Sequence, residues 1–160
     1  MQTDVPLEPD AAGLRVGLVV SRYHDAIVNA LAQGATRAFL AAGGAPERLL
    51  RVDAPGAFEL PVVAAAMARS NAFDAVVCLG LVLTGETRHD QYICDAVAHG
   101  LQRLAIDTGK PMGFGLLTCQ TLEQAKARAG GDKGNKGDEA MRAALLAVLA
   151  VRASRRAVPS

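Results

Sequence analysis

The stretch Gly85-Glu86-Thr87-Arg88-His89 places a glycine, a hydroxyl and an imidazole just after an apolar run that ends at Leu83. A turn leading from a strand into a helix leaves backbone N–H groups without intrahelical partners, and the helix dipole favours an anion beside them. Such a turn can hold phosphate. His89 adds a group able to give or take a proton near neutral pH. Local context leaves two roles open for it, acid–base chemistry or a solvated structural position. His24 and His99 carry less: His99 falls well inside a helical stretch and reads as a surface or packing residue.

Further along, Arg128 and Lys136 flank or enter the glycine-rich stretch 130–137. Backbone N–H groups and cations in such a loop can meet an anion. The plainer reading is a helix C-cap followed by a solvated loop, and it is preferred on local grounds because nucleotide-binding glycine fingerprints follow a strand, not a helix. Tyr23 and Phe58 belong to a set of only two tyrosines and four phenylalanines, and both fall in loops. Their ring faces can stack on a flat heterocycle, although Phe58 can equally anchor its helix to a sheet. Phe114 lies in a strand-like run, where core packing is the default.

These residues need a frame. Leu14 to Ser21 is a nearly continuous β-prone run, as in buried parallel strands. From Asp25 to Ala42 the residues Ile27, Leu31, Ala35, Ala38 and Phe39 recur at helical spacing, and Gly43-Gly44 supplies the stop. Leu49 to Asp53 is a short strand. Phe58 to Ser70 reads as a helix with Pro61 in its first turn, where proline is tolerated. Ala75 to Leu83 is a third strand, Arg88 to Asp107 a long helix, and Met112 to Leu117 a fourth strand. A short helix over Leu122 to Ala129, a loop over Gly130 to Gly137 and a last helix from Asp138 to about Ala153 complete the order. Alternation of this kind predicts an α/β domain, a four-stranded parallel sheet covered by helices on both faces. Ligand sites of such sheets lie outside the carboxyl ends of the strands, which selects the loops 22–25, 54–59, 83–89 and 118–121.

Composition agrees with one domain. The 160 residues are 51% hydrophobic and 21% charged, and a chain of that size buries roughly 70% of its unfolded surface. With 17 basic and 16 acidic residues, no strong field argues for nucleic acid or an anionic membrane as partner. Cys78, Cys94 and Cys119 are odd in number and widely spaced, which suggests neither a disulfide framework nor a zinc site; they read as buried thiols of a reducing compartment. Residues 1–13, rich in proline and acids, read as an N-terminal arm and not as a signal peptide, with the folded domain over 14–157. No apolar stretch reaches the roughly 20 residues of a membrane span. A cytoplasmic location is expected.

Six motifs in order, Ser21-Arg22-Tyr23, Pro55-Gly56-Ala57-Phe58-Glu59-Leu60-Pro61, Gly85-Glu86-Thr87-Arg88-His89, Phe114-Gly115 with Leu117-Thr118, Glu123-Gln124-Ala125 with Arg128-Ala129-Gly130, and Gly134-Asn135-Lys136-Gly137, resemble the lumazine synthase family. The resemblance spans residues from about 14 to 150 without a large insertion. It implies a flavodoxin-like three-layer α/β/α sandwich and a transferase of riboflavin biosynthesis. The implied reaction joins 5-amino-6-(D-ribitylamino)uracil to 3,4-dihydroxy-2-butanone 4-phosphate, giving 6,7-dimethyl-8-ribityllumazine, phosphate and water, the penultimate step of the pathway. It implies no metal and no organic cofactor. Active sites are implied to lie between neighbouring subunits of a homopentamer. The unextended loop before Gly137 resembles members that close sixty-subunit icosahedral capsids, and riboflavin synthase is the implied candidate protein partner.

By position, the resemblance assigns Tyr23 to stacking on the pyrimidinedione, where the family usually has phenylalanine. Ala57, Phe58 and Glu59 match the segment that holds the ring and ribityl chain, and Leu81, Val82 and Leu83 the strand end that reads the heterocycle's edge. Gly85, Glu86 and Thr87 match the phosphate-binding turn, with the Glu86 N–H as the donor and its carboxylate turned away. Arg128 matches the phosphate clamp, Phe114 an apolar wall from the adjacent subunit, Lys136 a basic residue near the clamp on the ribitylaminouracil side, and His89 the proton donor and acceptor. Thr84, Arg88, Asp90 and Gln91 depart from the family's common pattern. Two other classes are weighed: a catalytically silent flavin- or lumazine-binding, shell-forming homologue, and a flavodoxin-like signalling module. The latter calls for an acidic cluster at the end of the first strand, where Arg22-Tyr23-His24 stands instead.

Overall fold

The computed structural model describes residues 8–158. The arm expected over residues 1–13, and the expectation that no signal peptide stands there, therefore rest for residues 1–7 on positions outside the described residues. From residue 8 the chain turns inward. Ala11 is buried and donates its N–H to the Ala42 carbonyl (2.8 Å), and Leu14 is buried beside it, so the first strand, β1, begins at Val16 and not at Leu14.

Four strands, β1 (Val16–Ser21), β2 (Leu49–Ala54), β3 (Ala75–Leu83) and β4 (Met112–Cys119), form one parallel sheet in the order β2-β1-β3-β4. Parallel strands need crossovers, which helices supply. One row of the sheet runs Val52, Val19, Cys78, Phe114. Successive side chains alternate faces: Val16, Leu18 and Val20 join one core with Val77 and Leu79, while Val19 joins the other with Val76 and Cys78. Both central strands are apolar on both faces, as the continuous hydrophobic runs predicted.

The first face is covered by α1 (Asp25–Ala41), α4 (Leu122–Arg128) and α5 (Lys136–Ala157). Leu31, Phe39, Met141 and Leu145 are fully buried there, each contributing about 1.5–3 kcal/mol by leaving water. The second face is covered by α2 (Leu60–Arg69) and α3 (His89–Thr108), through Leu60, Ala64, Val97 and Leu101. The expected three-layer α/β/α, flavodoxin-like architecture is what the chain adopts.

Differences from the expectation are local. Residues 130–137 are not a plain loop. A short antiparallel hairpin, β5 (Ala129–Gly131) and β6 (Gly134–Asn135), forms there, with Gly130 and Gly134 at φ 114° and 76°, a region that glycine enters without a Cβ clash. The last helix starts at Lys136 and not at Asp138, because Asn135 is its N-cap. It also runs to Ala157, four residues beyond the expected end. Among the described residues no helix is long and apolar enough to cross a membrane.

Candidate active site

Three loops at the carboxyl ends of β1, β2 and β3 converge on a cavity of about 490 Å³. After β1, the Arg22 N–H bonds the Ala54 carbonyl at the end of β2 (3.1 Å), which joins the first two loops. Tyr23 then projects outward, 70% exposed. Gly56 forms the floor between the loops. A Cβ there would lie 3.3 Å from the Tyr23 ring and 3.1 Å from Glu59 Oε2, so ring and carboxylate both close over this one glycine. Phe58 is 61% exposed and lines the cavity, so it does not serve as a core anchor for α2. Instead the helix begins at Leu60, with the Leu60 N–H on the Ala57 carbonyl (3.1 Å) and Pro61 in the first turn.

The third loop follows β3. Leu81 is buried, Val82 and Leu83 are half-buried, and all three line the cavity. The Thr84 N–H is held by the Cys119 carbonyl of β4 (2.9 Å), which anchors the turn on the sheet. Beyond it, Gly85 to Arg88 are exposed and lead into α3 at His89. Among the described residues, no protein acceptor takes the N–H groups of Gly85, Glu86 or Thr87. The His89 N–H makes only a long contact with Thr87 Oγ1, 3.4 Å. Unsatisfied N–H groups at the start of a 20-residue helix make a turn suited to an anion. Gly85, Thr87 and His89 line the same cavity as Tyr23, Phe58 and Glu59.

Three of the sequence-predicted residues lie elsewhere on the chain. Phe114, Arg128 and Lys136 line a second, larger cavity of about 910 Å³, a groove that wraps the edge strand β4 between α3 and α5. The two cavities share no lining residue. Phe114 is 50% exposed on the edge strand, which overturns core packing as its role. Arg128 ends α4 and spends Nη1 on the Gln124 carbonyl (3.1 Å), leaving the rest of its guanidinium toward the groove. Lys136 Nζ pairs with Glu139 Oε2 at 2.6 Å. Glu86 lines neither cavity; its side chain is exposed on the turn.

Sequence reasoning gave no site role to His24 and Asp90, which line the first cavity. His24 is the only described non-glycine residue with positive φ (58°), and as N-cap of α1 its side chain makes no capping bond. A left-handed histidine leaves no periodic signal. His99, by contrast, is exposed on α3 with Nδ1 2.8 Å from the Asp95 carbonyl, a surface role as expected. Of the three thiols, Cys78 is fully buried and pushed up to about 12 by desolvation, and Cys119 is buried. Cys94 is only half-buried, and the cost of burying it, together with the Asp90 and Asp95 charges, raises its pKa. Among the described residues no group of three or more His, Cys, Asp or Glu side chains is placed to hold a metal.

A flavodoxin-like sandwich with an anion-ready turn, a histidine and two aromatic rings at one sheet edge describes a class of small-molecule α/β proteins. Comparison with known sequences narrows it. The family profile for 6,7-dimethyl-8-ribityllumazine synthase matches residues 13–152. The chain is similar to proteins of that name from Streptomyces coelicolor, 48% identical over 73% of this chain and 71% of the relative, and from Kineococcus radiotolerans, 48% identical over 78% and 75%. A relative of the same name from Frankia casuarinae is 49% identical over 76% of this chain and 74% of its own. The chain belongs to the 6,7-dimethyl-8-ribityllumazine synthase family, whose members are transferases of riboflavin biosynthesis.

Proposed function

We propose that this chain condenses 5-amino-6-(D-ribitylamino)uracil with 3,4-dihydroxy-2-butanone 4-phosphate to give 6,7-dimethyl-8-ribityllumazine, phosphate and water. The observation that carries the site assignment is the single cavity lined by Tyr23, Ala57, Phe58, Glu59, Leu81, Val82, Leu83, Gly85, Thr87 and His89. It supports a flat ring against Tyr23 and Phe58, hydroxyls toward Glu59, and a phosphate on the N–H groups of Gly85, Glu86 and Thr87. The uracil amine attacks the butanone carbonyl, a Schiff base forms, phosphate departs, and the second amine closes the ring. Each step moves a proton, and the position of His89 on the cavity lining supports it as the group that gives and takes it. Acid–base help of this kind is worth about 10²–10⁴-fold, while aligning two reactants contributes roughly 7–11 kcal/mol, so positioning dominates.

The phosphate clamp Arg128, the wall Phe114 and Lys136 are assigned to a neighbouring copy. Their separation from the His89 cavity on one chain supports a site completed between subunits. An apolar groove along an unpaired edge strand, together with Tyr92 and Ile106 about 70% exposed on α3 (71% and 69%), supports assembly. The proposed assembly is a homopentamer, with sixty-subunit shells and riboflavin synthase as partner following from the family resemblance. Three free thiols fit a cytoplasmic setting.

The test supplies both substrates to the assembled protein and follows the fluorescent lumazine together with released phosphate. Stoichiometric formation of both is expected. Tight binding of flavin or lumazine without product would overturn the enzymatic reading in favour of a silent binding homologue.

A further inference from the structure

The hairpin after α4 joins parts of the chain that are far apart in sequence, and it does so through one amide. Asn135 Oδ1 accepts the N–H groups of Gly137 (2.9 Å) and Asp138 (3.2 Å), which fixes the first turn of α5. Asn135 Nδ2 donates to the Ala30 carbonyl within α1 at 2.9 Å. The Asn135 backbone pairs with Ala129, the residue after Arg128. The surroundings leave no slack. A Cβ at Gly34 would lie 2.2 Å from Asn135 Oδ1, and one at Gly137 would lie 2.0 Å from the Leu31 carbonyl oxygen, so α1 and the start of α5 meet backbone to backbone.

Arg128 and Lys136 are the outer chain neighbours of the paired couple Ala129 and Asn135, and both line the groove along β4. We infer that Asn135 is a positioning residue: by bonding the hairpin to α1, it sets where the Arg128 and Lys136 cations stand for a substrate held by the next copy. The inference rests on the proposed reading of Arg128 as a phosphate clamp. A cap alone does not require asparagine, since aspartate or serine caps a helix as well. Only an amide caps through its oxygen and at the same time donates through its nitrogen to Ala30. Hydrogen bonds from a cation to phosphate are directional, so a tether that fixes the donor's height matters more for binding than for the chemical step.

The experiment compares wild type, Asn135→Asp, Asn135→Ser and Arg128→Ala as assembled proteins, measuring kcat, KM for the butanone phosphate and the inhibition constant of inorganic phosphate. Aspartate keeps a capping acceptor but has no donor for Ala30, and serine keeps one on a side chain too short to span from the cap to the Ala30 carbonyl, so both lose the Ala30 bond. Both variants are expected to raise KM and the phosphate inhibition constant about tenfold, the effect of one misaligned charge-assisted hydrogen bond, with kcat within about twofold of wild type. A rise in Asn135→Asp alone reports the new carboxylate's charge and overturns the inference, as does a fall in thermal midpoint with unchanged KM in both. If Arg128→Ala itself leaves KM for the phosphate substrate unchanged, the clamp reading fails first. A rise in Arg128→Ala without one in the Asn135 variants refutes the positioning role alone. Should Asn135→Asp not assemble, Asn135→Ser carries the comparison.

Discussion

The proposed division of the site between neighbouring copies makes a numerical prediction. His89→Ala damages the half built from the loops after β1, β2 and β3, and Arg128→Ala damages the half on the β4 groove; the two share no lining residue. The first loses a proton relay, about 10²-fold at the lower end of such effects. The second loses charge-assisted bonds to phosphate worth about 1.5–3 kcal/mol, or roughly 10- to 150-fold. Each variant alone is therefore expected to retain about a tenth of wild-type kcat/KM or less. In a ring assembled at random from equal amounts of both, each site takes one half from each of two adjacent copies. About one site in four then has His89 and Arg128 both intact, and about one in four has neither. Co-expression with distinguishable tags, dual-affinity purification and the fluorescent product assay should show roughly a quarter of wild-type activity. If one chain carried the whole site, mixing would give only the mean of the two variants, and that result would refute the divided site.

Other expectations follow from packing and titration. Gly137→Ala gains about 1 kcal/mol of helix propensity in α5, but its Cβ would stand 2.0 Å from the Leu31 carbonyl oxygen, and backbone overpacking costs about 1–3 kcal/mol or more. The clash prevails, so the thermal midpoint by calorimetry should fall; a rise would show that α1 and α5 separate freely. His24→Asn relieves a left-handed histidine and supplies a better N-cap for α1, so stability to urea should increase by up to about 1 kcal/mol, and an equal or lower midpoint would contradict the strain. Burial raises the Cys78 thiol from 9.0 to about 12, so the unfolded chain loses this proton first as pH rises. Stability is thus present below pH 9 and lost between 9 and 12, and Cys78→Ala should flatten that part of the alkaline unfolding profile.

The fold was legible because its signals are local and repeated. The apolar runs of β1 and β3 and the helical stripe of α1 each point to one structure, and Gly43, with positive φ, follows the end of α1 as expected, as Gly109 does the end of α3. Tyr23, Phe58 and His89 were legible as candidates because polar, aromatic and glycine residues cluster after strands, and the sheet brings the three to one cavity. The hairpin at 129–135 was not, since three glycines in a row of polar residues carry no period; its order comes from Asn135 reaching Ala30, 105 residues away in the chain. His24 escaped because its backbone conformation is imposed by the turn between β1 and α1. That Arg128 and His89 line different cavities is a property of the folded surface, and no spacing along the chain encodes it.

The most direct measurement is a structure of the assembled protein with inorganic phosphate bound. The anion is expected on the N–H groups of Gly85, Glu86 and Thr87 of one copy, within hydrogen-bond distance of Arg128 from its neighbour and beside His89. Phosphate bound elsewhere, or held at that turn with every Arg128 remote, would contradict it.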